Sequence, residues 1–85
     1  MRYAVEWVPQ AEDDLTTIWL AATDRDAVAL AVHRLENALA FDPLRLGEGR
    51  ESSVHRFTTY QMLSIMFEVI EDDKKVLVHG VFAIG

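Results

Sequence analysis

Three side chains in the last third of the chain could, if brought together, act on a phosphodiester. Glu68 or His79 could exchange a proton, and Arg56 could hold a phosphate through two parallel N–H donors. Proton transfer at a phosphate ester without a metal asks for that set: a base, an acid for the leaving oxygen and cations for the phosphate. Each residue also has a plainer reading. His79 lies in an apolar run, where a histidine packs or sits at a sheet edge, and Arg56 and Glu68 suit a solvated surface. No group of His, Cys, Asp and Glu has metal-ligand spacing along the chain, no glycine-rich phosphate loop is present, and nothing points to a cofactor.

The stretch that must position these groups runs from about Val54 to Ala83. Leu63, Ile65, Phe67 and Val69 alternate with Ser64, Met66 and Glu68, the period of a strand with one buried face. Glu71-Asp-Asp-Lys-Lys75 is short and polar enough for a hairpin turn. The run from Val76 is rich in Val, Leu and Phe, as strands are. A loop over 71–74 pairs Val69 with Val76 and keeps Val76, Val78 and Phe82 on the core side. On the strand before, Phe57 inside puts Arg56 outside. The open face then carries Arg56, Ser64, Met66, Glu68, Leu77, His79 and Val81. Met66, Leu77 and Val81 there suit a protein interface as well as a cleft.

Earlier segments must cover the other face. Tyr3 to Val8 reads as a first strand. Pro9 suits the first turn of a helix, and Glu12, Asp13 and Asp14 favour its positive end. Ala11, Leu15, Ile18, Trp19 and Ala22 form one apolar face of a helix over about 9–22. Asp24 offers an N-cap to a second helix patterned by Ala27, Leu30, Ala31, Leu35, Ala38 and Leu39, which Asp42-Pro43 ends. The order is β-α-α-β-β-β, an α+β domain spanning 1–85, with an antiparallel helical hairpin packed on one face of a small, mainly antiparallel sheet. Leu15, Ile18, Trp19, Leu35, Leu39, Ile65, Phe67 and Val69 are expected to form one core. Residues 44–53 read as a loop, and from Arg45 to Arg56 the balance turns basic, with Arg45, Arg50, His55 and Arg56 against Glu48 and Glu51, so any anion-binding surface is expected there.

With 85 residues the chain is a single domain of limited core, for which an obligate partner or a second copy is a natural supplement. The absence of cysteine leaves no disulfide or thiolate chemistry. No run is long enough to span a membrane and no signal-peptide core opens the sequence, so the expected location is the cytoplasm. The net charge of −6 repels phosphate backbones and speaks against direct nucleic-acid binding.

Three stretches, in order, resemble the RelE/ParE superfamily of bacterial type II toxins, including plasmid stabilisation proteins. They are Val5-Glu-Trp-Val-Pro-Gln-Ala-Glu-Asp-Asp-Leu15 with Ile18-Trp19; Asp42-Pro43-Leu44 followed by Gly47 and Arg50; and Phe67-Glu-Val-Ile-Glu-Asp-Asp-Lys-Lys-Val76. The resemblance implies a toxin neutralised by a cognate antitoxin. It also implies one of two activities: mRNA cleavage on the ribosome, as in RelE-like members, or inhibition of DNA gyrase, as in ParE-like members. The ribonucleases place catalytic groups on the open concave face and carry several basic residues on the middle strands, whereas residues 62–70 here carry none. The acidity and the few cations favour the protein-binding inhibitor, with a degenerate member, the nuclease using Arg56, Glu68 and His79, and a non-toxic interaction module as alternatives.

Overall fold

A computed structural model describes residues 2–45, 48–49 and 55–84, with 48–49 described in backbone alone. Arg50 and Gly47, singled out in the sequence, lie outside the described residues. Strand β1 (Ala4–Trp7) leads into helix α1 (Pro9–Ala21) and helix α2 (Arg25–Phe41). A 3-10 turn (Pro43–Arg45) and the two-residue strand β2 (Glu48–Gly49) follow, then β3 (His55–Tyr60), β4 (Leu63–Ile70) and β5 (Lys75–Ala83). Part of the stretch expected to be wholly loop therefore folds: β2 pairs antiparallel with β3 through Glu48 and Phe57.

The helix boundaries have local causes. Pro9 occupies the first turn of α1, where its missing N–H is no loss. The α1 carbonyls of Trp19 and Leu20 accept from the Arg25 guanidinium at 3.1 Å each, a cation closing the negative end of the helix. Asp24 caps α2, its carboxylate accepting from Ala27 N at 3.0 Å.

The sheet order is β1-β5-β4-β3-β2. Strands β3, β4 and β5 form the antiparallel meander, and β1 joins β5 in parallel. The two helices cover one face. The core comprises Ala11, Val28, Ala31, Leu35, Leu39, Leu63, Ile65, Phe67, Val76, Val78 and Val81, with Leu15, Ile18 and Val69 packed against it. The phase of β4 is as its alternation requires, with Leu63, Ile65 and Phe67 fully buried.

Four expectations about facing are corrected. Trp19 is 40% exposed, because Arg25 stacks on its outer face at 4.7 Å instead of the core closing over it. Leu30 is half exposed, and Val28 takes its place in the α2 stripe. The phase of β3 is shifted by one: Arg56 lies opposite the buried Phe67 and Phe57 opposite Met66. Directly opposed residues share a face. Arg56 therefore points to the helix side, where its guanidinium donates to Leu44 O at 3.4 Å, and Phe57 is on the open face. On β5 the expected places of Val81 and Phe82 are exchanged: Val81 is buried and Phe82 is 48% exposed. The cause is a β-bulge. Phe67 pairs with Val78 and Met66 with Gly80, so His79 is an extra residue opposite neither and the alternation flips beyond it.

Candidate functional site on the open face

Facing away from the helices, β3, β4 and β5 bring together His55, Glu68 and His79. Register places His55 directly opposite Glu68. The bulge frees the His79 ring to reach diagonally to the same carboxylate, and its Nε2 lies 2.9 Å from Glu68 Oε1. Both side chains are 27% exposed. The His55 ring meets the His79 ring edge-on, with centroids 5.0 Å apart and planes at 78°. Chemically, Glu68 can fix the tautomer and orientation of His79, while an imidazole beside a carboxylate can relay a proton. The same donors can also hold an ion: one ligand atom from each of the three residues lies within 4.8 Å of the others.

Around this cluster the face is apolar. Met66 and Leu77 are half-buried there, and Phe57 and Phe82 are 45% and 48% exposed. Gly80 lies beneath the Phe82 ring, where a Cβ would come within 3.2 Å of it, so the missing side chain at Gly80 gives the ring its place on the sheet. Ser64 and Thr59 are hydrogen-bonded to each other across the hairpin at 3.2 Å. Lys75, on the β1 side, is paired with Glu6 at 3.4 Å.

Of the residues proposed for phosphate chemistry, Glu68 and His79 are together and Arg56 is on the other face. Arg45 is exposed in the turn after α2 and ion-paired with Asp42 at 3.6 Å. Met66 and Leu77 are on the open face as expected, and Val81 is in the core. Among the described residues no arginine contributes to the open face. His55, expected only as part of the basic stretch from Arg45 to Arg56, and Phe57, expected in the core, both stand on the open face. The two-residue turn at Gln61 and Met62 carries the signal: it pairs Tyr60 with Leu63, and counting back from it sets Phe57 opposite Met66. Gln61 takes a φ of 55°, which closes so short a loop.

A second polar cluster ties β1 to the β4–β5 turn. The Tyr3 hydroxyl donates to Glu71 Oε1, as does Lys74 Nζ at 3.1 Å, and the ammonium sits 5.3 Å from the Tyr3 ring centre. The hydrogen bond from Tyr3, then that from Lys74, holds the Glu71 carboxyl below its ordinary value. The contact with Glu71 raises Lys74 and Tyr3. This cluster braces the β1 edge of the sheet.

The sequence matches no family model and no curated protein. Among solved structures, a chain of the RelBE2 toxin–antitoxin complex of Mycobacterium tuberculosis is similar over 98% of this chain and 92% of its own. Its TM-score is 0.77 at 18% identity. A chain of the chromosomal ParDE system of P. aeruginosa matches over 99% and 98%, with a TM-score of 0.72 and 15% identity. The isolated E. coli RelE toxin matches over 98% and 85%, with a TM-score of 0.68 and 13% identity. The chain has the RelE/ParE toxin fold.

Proposed function

We propose that this chain is the toxin of a type II toxin–antitoxin pair and that it acts by binding a protein, in the manner of the ParE-like inhibitors of DNA gyrase. The observation that carries the finer reading is the composition of the open face: Phe57, Met66, Leu77 and Phe82 around a small polar cluster, with no arginine from the described residues. Apolar groups exposed together on a rigid sheet suit a protein partner. A nucleic-acid backbone would ask for cations that this face does not gather, and the chain as a whole carries −6.

The antitoxin has a separate surface available. Leu15, Trp19, Val28 and Val32 line an apolar groove between the helices, and Leu20, Leu30 and Phe41 are exposed on the same layer. An amphipathic segment laid there would bury what the short core cannot, and would raise the melting temperature by mass action.

The second reading is the ribosome-dependent endoribonuclease. It is favoured by the 2.9 Å contact of Glu68 with His79 beside His55, which resembles an acid–base pair. In that reading the phosphate cation comes from outside the described residues or from the ribosome. Two assays separate the readings. Purified protein in a gyrase supercoiling assay is expected to inhibit, and primer extension on cellular mRNA after induction is expected to show no cuts. Cuts within codons that vanish in His79→Ala, with gyrase untouched, establish the nuclease. Silence in both assays leaves a non-toxic interaction module.

A further inference from the structure

We propose that His55, Glu68 and His79 form a binding site for a divalent transition-metal ion of the zinc class on the open face of the sheet. The three residues come from three adjacent strands, so hydrogen-bonded ladders fix their backbones relative to one another. One donor atom from each lies within 4.8 Å of the others. In a tetrahedral zinc site, bonds of about 2.0–2.1 Å put neighbouring ligands about 3.3 Å apart. The Glu68–His79 separation of 2.9 Å is already near that value. Closing the remaining gap asks His55 to turn about its side-chain bonds and to exchange its present contacts, among them the edge-on contact with His79, for the metal.

The donor types choose the ion. Two imidazoles and one carboxylate suit zinc and its neighbours in the first transition row. Magnesium and calcium need more oxygen ligands than the single carboxylate here provides. A metal-bound histidine ordinarily uses one ring nitrogen for the metal and the other for a hydrogen bond, so one nitrogen of each imidazole remains for a partner. Partial burial removes some water from the ligands, yet leaves the ion a way in from solvent. Three protein ligands leave at least one coordination position pointing away from the sheet, toward whatever docks on this face. The acidic chain attracts a cation where it repels phosphate.

This site does not rest on the toxin reading, and metal binding is measured without it. The test is calorimetric titration of untagged, chelator-treated full-length protein with zinc chloride. One equivalent per chain is expected. His55→Ala, His79→Ala and Glu68→Gln should each weaken binding at least about tenfold, since even the outer partners of metal ligands are worth that much. Magnesium chloride should give no binding. His33→Ala, on α2 and bonded to Asn37, should bind zinc as the unaltered chain does. Thermal melts without metal identify any variant that fails to fold. For such a position the conservative His→Gln variant replaces it, and cobalt(II) absorption in the visible range gives a second readout that should disappear with either histidine. Absence of zinc binding overturns the proposal. So does binding that survives loss of both His55 and His79, or that is lost with His33.

Discussion

The two faces of the central sheet are built from the same three strands and differ in almost every other respect. On the helix side Leu63, Ile65, Phe67, Val76 and Val78 are fully buried, the side chains interlock with α1 and α2, and Arg56 reaches a backbone carbonyl at the margin. On the open side titratable groups are held half-buried against one another, and two phenylalanines lie in solvent. The covered face is what folding requires of so short a chain. The open face leaves apolar side chains where they add little to stability, and that is the observation behind the protein contact proposed for it.

Substitutions should separate the faces by size of effect. Phe67→Ala empties a fully buried site and is expected to cost about 3–5 kcal/mol in denaturant unfolding, whereas Phe57→Ala, on the other side of the same sheet, should cost less than about 1 kcal/mol. Equal losses would mean the open face is covered by something in the folded chain. Asp24→Ala removes the cap of the helix that covers the core and should cost about 1 kcal/mol, with Asp24→Asn restoring most of it. Arg56→Ala should lower stability by about 0.5 kcal/mol, the scale of one long exposed hydrogen bond, and leave any activity of the open face unchanged. An Arg56 variant that loses activity at full stability would return that residue to the site.

The smallest expected effect is a pH dependence at the edge of the sheet. The folded pKa of Glu71 lies below its ordinary 4.5, so its contribution is present above that value and fades as pH falls through the lowered one. Lys74 is raised above 10.5 and Tyr3 above 10.0. Their contributions are present below those values and are lost as pH rises through the folded ones. Melting temperature against pH should therefore show shallow declines at both extremes. Glu71→Gln should flatten the acid limb, and no change in that limb would remove Glu71 from the account.

The same contrast explains what the sequence could reveal. Alternation through Leu63–Val69, the helical stripes and the polar turn at 71–74 are local patterns, and they were enough for the element order, the hairpin of helices and the register of Val69 with Val76. The open face depends on two non-local details. A two-residue turn sets the phase of β3, and one extra residue at His79 reverses the alternation of β5, which moved Val81 inward and Phe82 outward. Neither has a composition signature. For the same reason spacing along the chain shows no metal-ligand set, while pairing across strands gathers His55, Glu68 and His79. Trp19 departs for another reason: its position on the helix is apolar, but the neighbouring Arg25 stacks on a ring that stays 40% exposed.

That the open face carries the function of a toxin is tested most directly by growth after induction without any antitoxin, comparing the unaltered chain with a Phe57→Ser, Phe82→Ser double variant. Both side chains are substantially exposed, so the variant should fold and melt within a few degrees of the parent. The prediction is growth arrest with the parent and normal growth with the variant at equal protein level. Arrest by both would put the toxic surface elsewhere, and normal growth with both would remove the toxin reading.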